Sequence, residues 1–381
     1  MPTQTKKHTK KPASARTGTK KQRTPRPADK SAGLVWLRRL ISMRWVRVVL
    51  GIVVGLLILM YTAPWWNPVV FPPVKNPQFG VSFSEKRARE LGLDWRANYL
   101  ALLDDMQIKH YRLMSYWDLH EPVRGQHDFS TLDWQIAEAK KRGASVSLAI
   151  GLRQPRWPEC HQPEWANTLT GGAWKQAMYS YIQTVVKRYE NEPTVINWQL
   201  ENEGKNDWFG LCDRADRVRL QEEYDMVDRM TKKPIWMSLS DQHGLPVFGP
   251  WPDKFGYSVY RVVWNEKIFP AKNYIIYPTP IWYHRARAVV IKAMTGRDIY
   301  IHELQLEPWG PRDTKDLSVD EQNISMSPWQ IRDNVLFARE IGKPEIYTWG
   351  GEWWYWRKVH GDPSTWNTVK DTLRDAETDT R

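Results

Sequence analysis

From Phe79 onward the chain alternates between two kinds of segment, and that alternation limits its fold more than any other feature. Short β-rich stretches occur at 79-FGVSFS-84, 110-HYRLMS-115, 145-SVSLAI-150, 194-TVINWQL-200, 234-PIWMSL-239, 255-FGYSVY-260, 298-DIYIHE-303 and 344-PEIYTW-349. Between them, segments 94–106, 131–143, 174–190, 216–230, 282–294 and 328–342 place apolar residues three and four apart, the spacing of a half-buried helix, and a last helix is expected near 364–375. Gly143 and Gly342 stand directly before strands, where a helix C-cap is wanted. Only 240-SDQHGLPVFGPWPD-253 interrupts the rhythm and reads as loop. Eight strand-then-helix units in about 300 residues predict a (β/α)8 barrel, the TIM barrel. A doubly wound sheet is the competing layout, but no G-x-G-x-x-G follows the first strand and no G-x-x-x-x-G-K-[ST] occurs anywhere.

The segment ahead of the barrel sets where such a domain would work. The formal charge of +12 suggests nucleic-acid or membrane-surface binding until its distribution is examined. Residues 1–47 hold fourteen Lys and Arg against one acid, Asp29, and the remainder is close to neutral. That leaves the body of the chain no phosphate-neutralising face, so no nucleic-acid partner is expected. The uncharged run 48-VVLGIVVGLLILMYTA-63 follows, flanked by Trp45, Trp65 and Trp66. It approaches the roughly 30 Å hydrocarbon layer at helical rise. A cleaved signal peptide or a buried core helix are the alternatives, yet the basic region is very long and Tyr61 stands where a cleavage site wants a small residue. The expected organisation is therefore a disordered basic cytoplasmic tail at 1–44, a transmembrane signal anchor at 45–63 with the lipid bilayer as partner, a Pro-rich extended linker at 64–78, and a catalytic barrel at 79–381. All the positive charge precedes the span, which predicts a single-pass cell-membrane protein with residues 64–381 outside the cytoplasm.

Barrel enzymes keep their chemistry at the C-terminal ends of the strands and in the loops that follow. In 196-INWQLENEG-204 three polar residues, Glu201, Asn202 and Glu203, sit where the fourth strand leaves the core, and Glu303 ends the seventh. Buried carboxylates cost several kcal/mol unless paired or used. Two carboxyls in different charge states are what cleavage of a glycosidic bond requires, one giving a proton to the leaving oxygen and one an electron pair to the anomeric carbon. Glu201 shares a side with Glu203 in an ideal strand and competes for the acid role.

The segment 198-WQLENE-203 resembles the strand-four motif of clan A glycoside hydrolases, above all their β-galactosidase branches, and 299-IYIHELQLEPWG-310 resembles their strand-seven motif. The resemblance implies that Glu203 is the general acid/base, favoured over Glu201 by the asparagine before it, and that Glu303 is the nucleophile of a retaining, two-glutamate double displacement on β-glycosidic bonds. Arg112 matches the family's strand-two arginine near the nucleophile, Trp349 its tryptophan platform under the sugar, and Trp117, Glu121, Pro122, Gly125, Asp128, Phe129, Leu132 and Asp133 its second loop and helix. The chain departs from the pattern at His302, where a small hydroxyl residue is common; a structural histidine on the opposite pleat is expected there.

Asn202 is then the candidate donor to the sugar 2-hydroxyl, and Tyr260, Trp117 and Glu307 are candidate substrate-binding residues at strand ends. Sugar rings present C–H faces on which aromatic side chains stack, and Trp157, Trp208, Trp282 and Trp309 also fall at or after strand ends. Cys160 and Cys212 fall in neighbouring loops, where a disulfide and two free thiols are equally expected. The nine histidines show no metal-ligand spacing and no G-x-S-x-G elbow is present, so no metal and no cofactor is expected. The partner is an oligo- or polysaccharide. A catalytically inactive glycan-binding or wall-tethering protein and a transglycosylase are the rival functions on the same scaffold.

Overall fold

A computed structural model describes residues 43–70, 72–206, 209–212, 216–239, 243–266 and 273–378. The basic tail up to residue 42 and Trp208 lie outside the described residues. Contacts divide the chain between Thr62 and Ala63 into two units. One helix, Arg44–Val70, is long and apolar enough to cross a membrane. At about 1.5 Å per residue its 27 residues extend to about 40 Å, and its side chains from Val48 to Tyr61 are largely exposed. The helix runs past the expected end of the span and takes in Pro64 and Pro68, so the expected extended spacer is helical as far as Val70. Proline's φ is compatible with a helix, and the helix continues through both despite the hydrogen bond each removes. In the second unit Ala63 and Asn67 are buried, and the Asn67 amide donates to the carbonyl of Trp282 at 3.5 Å.

The second unit is a closed parallel barrel. Its staves are β1 (Gln78–Ser82), β2 (His110–Met114), β3 (Ser145–Ile150), β4 (Val195–Leu200), β5 (Ile235–Ser238), β6 (Lys254–Val259), β9 (Asp298–Gln305) and β10 (Glu345–Trp349), and β7 (Val262–Asn265) pairs with β8 (Asn273–Ile276) as a separate antiparallel ribbon. Around the barrel the order is β1-β10-β9-β6-β5-β4-β3-β2, so each of the eight expected strands is a stave. The seven expected helices are present within a few residues of their expected bounds. The helix Pro328–Ile341 shows why: Ser327 and Gln330 form a capping box, Pro328 opens the first turn, and Gly342 closes the last at φ 70°. The ribbon and the Trp-rich helix Gly351–Val359 were not expected.

The barrel interior is aromatic and polar. Trp236, Tyr300 and Tyr347 form a cluster of their own. Gly80 and Gly256 give them room, since a Cβ at either would stand within 3.0 Å of the Tyr347 or Tyr300 ring. The larger apolar core is a separate cluster that includes Leu113, Leu148, Ile182, Ile301 and Val335, where strands meet helices.

Candidate active site

The loop leaving β4 turns sharply, with Glu201 at φ 53° and Glu203 at φ 49°, both in the left-handed region that non-glycine residues seldom adopt. Glu201 secures the turn. Its carboxylate accepts from the backbone N–H of Leu152 at 2.7 Å and of Arg153 at 2.8 Å, and from the Arg219 guanidinium at 3.1 Å. Gly151 is obligatory beside it, because at φ 106° a Cβ there would lie 2.5 Å from the Glu201 carboxylate. With both oxygens engaged and 1% of its surface exposed, Glu201 is a brace, and the less buried carboxyl of the motif is Glu203.

Glu203 is held by few donors. Its backbone N–H donates to Ser238 Oγ at 2.7 Å, and its carboxyl accepts from Asn206 at 2.8 Å and from Ser258 Oγ at 3.2 Å. Ser258 lies on β6 and is the register partner of Glu303 on β9. Its hydroxyl also lies 3.2 Å from His302 Nε2, so the serine touches Glu203 and the residue before Glu303.

Glu303 sits on a bulge. Against β6 the register passes from Ile301 to Glu303 while the partner advances one residue, and against β10 it passes from Ile301 to Leu304 while the partner advances two. One extra residue in β9 thus faces both neighbours, which re-aims the side chains of His302 and Glu303. The expectation that His302 faces the opposite pleat fails for this reason. His302 Nδ1 lies 3.4 Å from Glu303 Oε1, and its Nε2 lies 3.2 Å from Ser258 Oγ.

Arg112, fully buried on β2, gathers the site. Its guanidinium donates to Glu303 at 3.0 Å, to Asn202 Oδ1 at 2.7 Å and to the His302 carbonyl at 3.2 Å, and its Nε donates to Gln199. Tyr260 completes the shell of Glu303, its hydroxyl donating to the other carboxylate oxygen at 2.9 Å. Asn202 turns its amide N–H to a third carboxyl, Glu159, at 3.1 Å. Sequence reasoning missed Glu159. It reaches the site because it sits at φ 74°, immediately before Cys160, which is bonded to Cys212 with 5.4 Å between their Cα atoms. The disulfide alternative is the one realised.

These environments split the carboxyls. Burial pushes Glu203 well above its ordinary value, and the charges of Glu303 and Glu159 push it further. Glu159 is pushed up to about 8, by burial and then by Glu303. Burial alone would also raise Glu303, but the site overrides it and holds the group well below its ordinary value, through His302 and Arg112. Burial lowers His302 as well, so the imidazole is neutral near pH 7 and the lasting positive charge beside Glu303 is Arg112. Tyr260 is raised, by burial and then by Glu303, and remains a neutral donor.

The remaining candidates divide. Trp349 ends β10, and the Arg156 guanidinium lies 4.0 Å from its ring centroid, so one face of the expected sugar platform is already covered. Glu307 is buried and bonded to Arg156 at 2.7 Å. Trp117 is a correction: it is fully buried, packs edge-on against Trp165 at 5.4 Å, stacks on Tyr181 at 6.0 Å and donates to Glu121 at 2.8 Å. It belongs to the shell outside the barrel and is not available to a sugar. Of the other aromatic candidates, Trp309 meets Tyr260, the partner of Glu303, edge-on at 5.3 Å and Phe209 at 5.7 Å, whereas Trp157 is largely exposed.

No family model matches the chain. An alignment of 167 positions, covering 36% of the chain, is 24% identical to the β-galactosidase Bga of Halorubrum lacusprofundi and covers 23% of it, so the chain matches less than a quarter of that curated relative's length. Among solved structures, the β-galactosidase from the Antarctic haloarchaeon Halorubrum lacusprofundi matches with a TM-score of 0.51 at 13% identity, over 79% of this chain and 58% of that one. GH5_18 from Streptomyces cattleya, solved in complex with GlcNAc, matches with a TM-score of 0.55 at 12% identity, over 81% and 82%. The exo-β-1,4-mannosidase from Opitutaceae bacterium strain TAV5 matches with a TM-score of 0.52 at 13% identity, over 79% and 60%. The structural neighbours are clan A glycoside hydrolases, and at these identities the likeness is one of fold.

Proposed function

We propose that the chain is a membrane-anchored retaining glycoside hydrolase that cleaves β-glycosidic bonds with Glu303 as nucleophile and Glu203 as acid/base. The observation that carries this reading is the opposed electrostatics of two carboxyls: Glu303 beside Arg112 and Tyr260, and half-buried Glu203, whose carboxyl accepts, among the described residues, from Asn206 and Ser258.

In the first step the Glu303 carboxylate attacks the anomeric carbon while the bond to the leaving oxygen breaks and Glu203 gives that oxygen its proton. The product is a glycosyl ester on Glu303. Its formation removes the charge that raised Glu203, which is then a carboxylate able to act as a base. In the second step Glu203 takes a proton from water, the water oxygen bonds to the anomeric carbon, and Glu303 leaves as carboxylate. A sugar hydroxyl in place of that water would give transglycosylation. Asn202, held by Arg112 and Glu159, is placed to donate to the 2-hydroxyl, a bond that strengthens in the transition state.

The relatives' names, β-galactosidase and exo-β-1,4-mannosidase, point to neutral hexosides as first substrates to try. The helix Arg44–Val70 supplies the anchor, and the fourteen basic residues among the first 47 keep the N-terminus in the cytoplasm and the barrel outside it. The test is a panel of chromogenic aryl β-glycosides with the wild type, Glu203→Gln and Glu303→Gln, and proton NMR of the first-formed sugar. Turnover lost in both variants and a product of retained β configuration are expected; a wild type inert on the whole panel refutes the reading.

A further inference from the structure

The loop after β3 does something the two-step chemistry does not require. Gly151 through Arg156 are all buried, so this segment enters the barrel mouth instead of skirting it. Arg156, at φ 85°, carries its guanidinium to the far side, where it donates to Glu307 beyond β9 at 2.7 Å and to Glu352 beyond β10 at 2.5 Å. Glu352 in turn accepts from the backbone N–H of Ser84 beyond β1 at 2.5 Å. The Ser84 hydroxyl lies 2.8 Å from that of Tyr116 beyond β2, and the Tyr116 hydroxyl donates to the carbonyl of Pro155 at 2.8 Å, which returns to the same loop. The segments following five consecutive staves, β3, β2, β1, β10 and β9, are thereby joined in one hydrogen-bonded rim.

That rim borders the site on the side of Trp349. Two markers locate it: Arg112 on β2 holds the nucleophile, and Trp349 ends β10 with one face under Arg156. A sugar chain leaving the site on this side would meet the Arg156–Glu307–Glu352 cluster, whose side chains are all nearly buried. Opening it would leave buried charges without partners.

We infer that this charged rim ends the glycone subsite after a single sugar, so that the protein acts on non-reducing chain ends and releases monosaccharide. The aglycone extends over β5 and β6, the flank the rim leaves out. Arg156 is the residue that limits length: it blocks the second glycone position and presents a hydrogen-bonding end wall to the terminal ring.

The inference rests on the glycosidase reading, and one experiment separates the two. The full chain in detergent is given the aryl glycoside it cleaves best, then the matching β-linked tetrasaccharide, either with a free non-reducing end or with that end blocked as a 4,6-O-benzylidene acetal. Monosaccharide as the sole early product, with the blocked chain cleaved at least about a hundredfold more slowly because it clashes with the rim, is the expected result. Di- or trisaccharide released from the non-reducing end, or the blocked chain cleaved at a comparable rate, overturns the inference and leaves the glycosidase standing. No hydrolysis of any glycoside overturns both. A folded Arg156→Ala variant gains cleavage of the blocked chain relative to the free one; a folded variant with an unchanged ratio removes Arg156 as the end wall.

Discussion

Replacing Tyr260 by phenylalanine tests whether a hydrogen-bonded shell keeps Glu303 ionised. The hydroxyl donates to one carboxylate oxygen at 2.9 Å while Arg112 serves the other at 3.0 Å, so the substitution removes one of two strong donors and leaves the ring in place. A hydrogen bond to a charged group contributes about 1.5–3 kcal/mol, and one pKa unit corresponds to about 1.4 kcal/mol. Tyr260 is half-buried, so water can partly replace the lost donor and the lower end applies, an upward shift of about one unit. The direction follows from the role. Glu303 must be a carboxylate to attack, its value is depressed in the folded protein, and a smaller depression moves the acid limb of kcat/KM to higher pH. The assay is a pH–rate profile of wild type and Tyr260→Phe on one aryl glycoside, with circular dichroism at each pH to separate loss of activity from unfolding. Because the two carboxyls are strongly linked, the limb belongs to the pair, and the shift between proteins is the quantity to read. A folded variant with reduced activity and an unmoved acid limb would refute the argument, since Tyr260 would then act on something other than the charge of Glu303.

Two further outcomes follow from the same geometry. Glu203→Gln is expected to slow alkyl glycosides by about 10²–10⁴-fold, the usual contribution of a positioned proton donor, and 2,4-dinitrophenyl glycosides far less in the first step; equal losses on both leaving groups, measured by burst kinetics, would remove Glu203 as the acid. Glu201→Ala is expected to destabilise the barrel by about 2–4 kcal/mol in urea unfolding, because it leaves two buried backbone N–H groups without an acceptor while Arg219 keeps Glu223, and both limbs of the pH profile stay where they are; a moved limb would return Glu201 to the catalytic pair.

How much of this was legible in the chain depends on what each feature is made of. The staves are rich in β-branched and aromatic residues, so 194-TVINWQL-200 and 344-PEIYTW-349 declare themselves, and capped amphipathic helices such as Pro328–Ile341 do the same. The two glutamates were legible because their motifs end strands. The bulge at His302 was not, because it exists only in the pairing of β9 with both neighbours. Glu159 and Arg156 escaped notice for a related reason: they owe their positions to positive φ angles in a loop, which no periodicity encodes. Trp117 was misplaced because standing beyond a strand does not say which way a ring turns. Here a short helix, Trp117–His120, begins at once and carries the indole outward to Tyr181.

The division of labour between the glutamates follows from which backbone carries each. Glu303 projects from a stave, where a bulge lets Arg112 from one side and Tyr260 from the other reach separate oxygens of one carboxylate. Glu203 projects from a left-handed turn, and its carboxyl accepts, among the described residues, from an amide and a hydroxyl, with the charge of Glu303 nearby. Exchanging the roles would require a proton to reside on the carboxyl beside the guanidinium and a charge on the one without it, against both the hydrogen bonds and the burial. The proposed assignment thus follows from which side chains reach each carboxyl, since the arginine of β2 donates to Glu303 and to the amide oxygen of Asn202 and leaves the carboxyl of Glu203 to Asn206 and Ser258.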